Sequence, residues 1–176
     1  MILLISNDAF YLKNLNLLLK QSNIDTTLNS ENKYFFKLQL IFDNQKISIK
    51  FENETFSFNL PVTFENLLFK IRDLLGKKYI KISNFSYNPV MQIISDKENE
   101  CHLGNIHNII FSNLVIDINK GIKKNELYNN IWPNDKDTQI NKLETHITNL
   151  KNRVKKDISI DLKILSDGGF LKLVVN

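Results

Sequence analysis

The chain has 176 residues, with 23 Lys and Arg against 19 Asp and Glu for a formal net charge of +4, and is 43% hydrophobic. That length suits one large domain or two small ones, and the apolar content excludes a disordered chain. A single cysteine, Cys101, excludes an intramolecular disulfide framework, and no apolar run approaches the roughly 18 residues of a membrane helix.

The start, MILLISND, lacks the basic residues and long apolar stretch of a secretion signal, so a cytoplasmic protein is expected. A bias toward Asn, Ile, Lys and Phe matches an AT-rich, bacterial genome. MILLI itself reads as a short buried strand. Leu12, Leu15, Leu18 and Leu19 then recur at helical spacing over Phe10 to Gln21. YFFKLQLIFD, KISIKFE and TFSFNL alternate and are separated by DNQ and NE, which predicts three strands in an antiparallel meander. TFENLLFKIRDLL is an amphipathic helix with Thr63 as N-cap and Phe64, Leu67, Leu68, Ile71 and Leu75 as its apolar stripe. It ends at GKK, a boundary that divides a domain at 1–76 from one at 77–176. Up to Gly76 eight basic and eight acidic residues cancel, so the whole positive excess lies beyond it.

The two ends of 1–76 resemble those of a response-regulator receiver domain. The start is similar to its first strand and helix, and LPVTFENLLFKIRDLL to its last turn and helix. Between them the meander stands in place of about 40 residues of α/β alternation. Receiver chemistry needs a carboxylate cluster for a divalent metal, an Asp that accepts phosphate and a Lys that pairs with it. Here Ser6, Asn7 and Asp8 offer one carboxylate, Leu60 stands before Pro61 where the Lys would be, and a third-strand Asp is missing. Asp8 is therefore expected to be a helix cap. The domain is expected to be an α/β pseudo-receiver with no phosphorylation site and no metal, used for self-association or protein binding. Homodimerisation through the 63–75 helix competes with a plainer role for its stripe as domain core.

Beyond the boundary, YIKISNFSYNPVMQIISD alternates around the Asn88-Pro89 turn and predicts short strands. LGNIHNIIFSNLVI predicts a helix with Ile106, Ile109, Ile110, Phe111 and Leu114 inward, closed by Gly121. KKNELYNNIW predicts a shorter helix that stops before Pro133. Thr138 or Asp137 would cap a third helix, over about 137–156. DGG (Asp167–Gly169) signals a hairpin over 162–175. Strands, three helices and a hairpin make an α+β winged helix-turn-helix.

On the third helix Ile140, Leu143, Ile147, Leu150 and Val154 form one buried stripe. The opposite face carries Thr145, Asn149, Asn152 and Lys156, flanked by Asn141, Lys142 and Arg153. From Lys142 to Lys156 there are five basic residues and one acid, Glu144. Asn can pair with adenine, Thr can meet a thymine methyl and Lys can neutralise phosphate, so this face suits a major groove. A basic helix face is also common as mere solvated surface.

ELYNNIWPNDKDTQINKLETHITNLKNRV resembles the matching part of the OmpR/PhoB-type response-regulator DNA-binding domain. Leu127 and Trp132 match the end of that family's second helix. Leu143, Glu144, Thr145, His146, Ile147, Leu150, Lys151, Arg153 and Val154 match its third, and SDGGFLKL is similar to its wing. The resemblance covers about 79–176 and implies a DNA-binding transcription regulator of the two-component type. It places base readers on Asn141, His146, Thr148 and Asn149, and a backbone contact on Trp132. Thr148 and Asn149 replace two arginines of the family, and Ser166, beside Asp167, replaces the wing arginine. Fewer cations imply a flatter salt dependence, and Asn149 implies an A/T-rich double-stranded target. In that family the Pro133–Asp137 loop can meet RNA polymerase.

The alternative is a protein-interaction adaptor that keeps the scaffold with weak DNA affinity. An enzyme is not expected, because a Gly-rich phosphate loop, a nucleophile elbow and paired catalytic carboxylates are missing from the sequence. His146 is expected on the helix surface and not as a base. Cys101, His102 and His107 do not match a zinc spacing, and no cofactor or metal is expected.

Overall fold

A computed structural model describes residues 1–175. The described residues are mixed α/β with five helices, and the chain divides into two units, Met1–Lys78 and Tyr79–Asn176. In the first, the initial apolar run is β1 (Ile2–Ser6), buried because it lies inside a sheet. α1 (Ala9–Gln21) follows, and the Asp8 carboxylate accepts from the Phe10 and Tyr11 amides at 2.9 and 3.1 Å, as the helix-cap expectation requires. β2 (Thr26–Thr27) was not legible in the sequence, since two residues carry no period. β3 (Phe36–Phe42), β4 (Lys46–Phe51) and β5 (Glu54–Asn59) are the predicted meander. The sheet order is β2-β1-β3-β4-β5, with β1 parallel to both its neighbours.

The register turns Leu38, Leu40, Ile47, Ile49 and Phe51 to one face, where they are buried. α1 and α2 (Phe64–Gly76) cover that face: Tyr11 stacks on Phe42 with ring centroids 4.7 Å apart, and Lys70 Nζ lies 3.7 Å from the centroid of Phe56. Thr63 caps α2, accepting from the Asn66 amide at 3.3 Å. Leu67, Ile71, Leu74 and Leu75 are buried in the unit's own core, while Phe64 and Leu68 of the expected stripe are half-buried. The plainer role of the stripe as domain core thus holds for most of its residues, and the large apolar residue that α2 turns outward is Phe69.

The second unit opens with a four-stranded antiparallel sheet, β6 (Ile80–Ile82), β7 (Phe85–Asn88), β8 (Ile93–Ser95) and β9 (Glu100–His102). Ile82, Phe85, Tyr87, Ile94 and Cys101 share its inner face and are buried. α3 (Asn105–Ile116) packs Ile110, Phe111, Leu114 and Val115 inward, while Ile106 and Ile109 are only half-buried. Two polar residues, Asn108 and Ser112, are buried instead. The Tyr87 hydroxyl lies 2.6 Å from Asn108 Oδ1 and 2.5 Å from Ser112 Oγ, and Asn108 Nδ2 donates to the Pro89 carbonyl at 3.1 Å. α3 stops at Ile116, several residues before Gly121. Gly121 has φ +74°, and a Cβ there would meet the Leu171 carbonyl oxygen at 2.6 Å.

β10 (Ile122–Lys123), α4 (Lys124–Ile131) and α5 (Ile140–Ile158) follow. α5 begins later than expected, at Ile140. Its N-cap is Gln139 with no side-chain cap bond, so neither Thr138 nor Asp137 caps it. β11 (Lys163–Asp167) and β12 (Phe170–Val174) form a hairpin with β10 added at the β12 edge. Gly168 and Gly169, both at positive φ, make the two-residue turn. No helix among the described residues is long and apolar enough to cross a membrane.

Candidate nucleic-acid interface

α5 spans 19 residues, and Leu143, Ile147, Leu150, Val154 and Ile158 bury one side of it. At ~1.5 Å per residue it is about 28 Å long. Asn141, Thr145, Thr148, Asn149, Asn152 and Lys156 all lie exposed on the other side. The side-chain amides of Asn141, Asn149 and Asn152 make no hydrogen bond within the described chain. The Thr145 and Thr148 hydroxyls donate back to the Asn141 and Glu144 carbonyls at 2.8 and 3.0 Å. Those donors are spent inside the helix, which leaves the threonine methyls as the groups offered outward.

Both acids of the helix are paired. Glu144 takes Lys124 Nζ at 2.5 Å, tying α5 to the start of α4, and Asp157 takes Arg153 Nε at 3.7 Å. Lys155 and Lys156 are exposed in the last turn, where cations also complement the helix dipole, and Lys151 is half-buried on the flank. The result is an amide and methyl surface with cations toward its C-terminal end.

Four of the expected contacts are placed differently. Lys142 is not free: its Nζ pairs with Asp135 at 3.0 Å and sits 4.1 Å from the Trp132 ring centroid. His146 is half-buried, with Trp132 and His107 at centroid distances of 5.4 and 5.9 Å. Burial, and then the His146 charge, pull the His107 pKa below its ordinary value. Arg153 is turned toward Asp157 on the Cys101 side of the helix. Ser166 is exposed but opposite Leu171, on the hairpin face whose other members turn inward; the solvent face carries Lys163, Leu165, Asp167, Phe170 and Lys172.

Trp132 is half-buried as the C-cap of α4, its ring tilted against that of Tyr128 with centroids 4.7 Å apart. The residue that organises this corner is Asp135. It accepts from the Tyr128 hydroxyl at 2.5 Å as well as from Lys142. The spacing from Tyr128 to Asp135 to Lys142, seven residues each way, is visible in the sequence only once the loop between the helices is known to double back. Cys101 is buried, and burial, with the Asp157 carboxylate adding to it, pushes the thiol up to about 11. Among the described residues, His, Cys, Asp and Glu form no group able to hold a metal.

No family model matches the chain, and neither does any curated protein. Three solved structures are similar to it. The DNA-binding domain of E. coli CadC is 16% identical, over 57% of this chain and 94% of that one, with a TM-score of 0.48. A structure from a family of streptococcal redox sensors, described as evolved from two-component response regulators, is 14% identical over 99% of this chain and 67% of its own, at 0.43. A RitR mutant is 13% identical over 99% of this chain and 66% of its own, at 0.42. At these scores the likeness carries no argument, and function rests on this chain's own residues.

Proposed function

We propose that the chain is a sequence-specific double-stranded-DNA-binding transcriptional regulator. Its second unit works as an OmpR/PhoB-type winged helix, with α5 in the major groove and the 162–175 hairpin on the flanking backbone. Its first unit works as a shortened receiver that needs no phosphorylation and pairs two copies. The observation that carries this is the outer side of α5: three free amides, two outward methyls, cations at one end and no unpaired acid. A free Asn amide supplies a donor and an acceptor at the spacing of adenine N7 and N6, and a threonine methyl fits the thymine C5 methyl. Both favour A·T pairs. The strand order of the first unit, β2-β1-β3-β4-β5, is that of doubly wound sheets, with β4 reversed where crossover helices would lie. The latched 133–139 loop is the surface open to RNA polymerase.

The test is fluorescence anisotropy of the full chain against a randomised duplex pool and an A/T-rich subset at several salt concentrations. Preference for the subset, with affinity falling as salt rises, is expected. Asn149→Ala is expected to cost about 1–3 kcal/mol at one base pair and relax specificity there. A G-rich selected site would overturn the A/T reading. Weak binding, equal for both pools, would favour a protein-interaction adaptor. The pinning of Lys142 and Arg153, which lowers the free charge of the surface, favours that second reading.

A further inference from the structure

We infer that β5, the free edge of the first unit's sheet, takes an extended segment of a partner protein in which acidic and apolar residues alternate. β5 is the last strand in the order β2-β1-β3-β4-β5 and pairs on one side only. The opposite edge, β2, is two residues long. Long edges are ordinarily blunted by a lysine, a proline or a bulge. β5 has none of these: Glu54–Asn59 reads ETFSFN, and its six residues pair with β4 one to one. The Leu60 amide donates to the Gln45 carbonyl at 2.8 Å, so by antiparallel alternation the backbone groups of Phe58, Phe56 and Glu54 face β4. Those of Thr55, Ser57 and Asn59 face outward and have no partner among the described residues. They stand where a further strand would take its main-chain hydrogen bonds.

The two faces of the sheet select what that strand carries. Phe56 and Phe58 turn to the inner face but stay half-buried, whereas their β4 partners Ile49 and Ile47 are fully buried. Apolar side chains on an added strand lie beside the two rings and close the core at this edge. Lys70, which covers Phe56 from α2, is already paired with Asp73 at 3.2 Å. On the other face Thr55, Ser57 and Asn59 are exposed, and β3 and β4 add Lys37, Lys46 and Lys50. These lysines are exposed and form no ion pair among the described residues. The strands bring no acid to this face, and Asp43, in the β3–β4 turn, accepts from the Asn44 amide. An added strand lies about 10 Å from β4. A glutamate on it and Lys46 or Lys50 span that gap together. A second copy of β5 does not fit, because it brings its own Lys46 and Lys50 to the same face and adds like charge. The inference does not rest on DNA binding.

Selection from random twelve-residue peptides displayed on phage, with the full chain as bait and no DNA, tests the docking. Enrichment of peptides in which acidic and apolar residues alternate is expected. Ser57→Pro removes an outward N–H that β4 does not use, a change that an edge strand tolerates. It should weaken an enriched peptide about tenfold or more in fluorescence anisotropy, with circular dichroism unchanged. Lys46→Glu with Lys50→Glu should weaken the same peptide and turn the selection toward basic residues. If Ser57→Pro disturbs the fold, the charge reversal decides alone. No enrichment, enriched peptides without the alternation, or binding that the charge reversal or a folded Ser57→Pro leaves unchanged overturns the proposal. A concentration-dependent dimer that Ser57→Pro dissociates overturns it too, by giving the edge to a second copy. Because no DNA is present, either result leaves the anisotropy test of DNA binding intact.

Discussion

Asp135 accepts hydrogen bonds from the Tyr128 hydroxyl and from Lys142 Nζ, and these two donors, in that order, hold its carboxyl below the usual carboxylate range. Lys142 is fixed from its other side by the Trp132 ring. The cluster therefore positions the loop that leads into α5, while it withholds one cation from any phosphate nearby. Asp135→Asn keeps the side-chain shape and removes the charge that holds Lys142. The variant is expected to bind DNA with a steeper salt dependence, by about 0.9 in the log–log slope, the value of one added phosphate contact. Anisotropy titrations of both proteins over the same salt series measure it. An unchanged slope would mean that the Trp132 ring alone keeps Lys142 from the backbone.

The elements show where an alternating or helical period is enough and where it is not. Gly121 joins α3 to β10 with φ +74°, and its Cα side is closed by the Leu171 carbonyl. Gly121→Ala combines left-handed strain with a clash against backbone that belongs to a paired strand, so a loss of about 1–3 kcal/mol is expected. Urea unfolding followed by circular dichroism would show it, and an unchanged midpoint would contradict the close approach. From the sequence Gly121 looked like a plain helix stop, because the strand that crowds it lies fifty residues on. The same long range hid the burial of Asn108 and Ser112: their partner is the Tyr87 hydroxyl, from β7, which no local period announces. By contrast, β3, β4, β5 and the buried stripe of α5 were legible, because each is written in a local period with one dry side. On α5 the amide face was legible for the same reason. What was not legible is which flanking cations are already taken, since Asp135, Asp157 and Trp132 reach them only through the fold.

At the scale of the whole chain, the question is what switches it. The end of β1, where a receiver would gather carboxylates, is occupied by structural bonds. Asn7 holds both backbone groups of Phe42, donating to its carbonyl and accepting from its amide at 2.8 Å each, and Asp8 is spent on capping α1. Leu60 supplies no cation for a phosphoryl group, and the described residues contain no acidic cluster for a divalent metal. A phosphate here would have to displace a helix cap worth about 1 kcal/mol. On the proposed function, regulation would then not pass through a covalent signal at this end of β1. Incubation with acetyl phosphate and Mg²⁺ is accordingly expected to leave intact mass, sedimentation behaviour and DNA affinity unchanged. Asp8→Asn should leave them unchanged too, because Asn caps a helix as well as Asp does. A stable mass increase of one phosphate that Asp8→Asn abolishes, accompanied by tighter DNA binding, would restore a phosphorylation switch to the first unit.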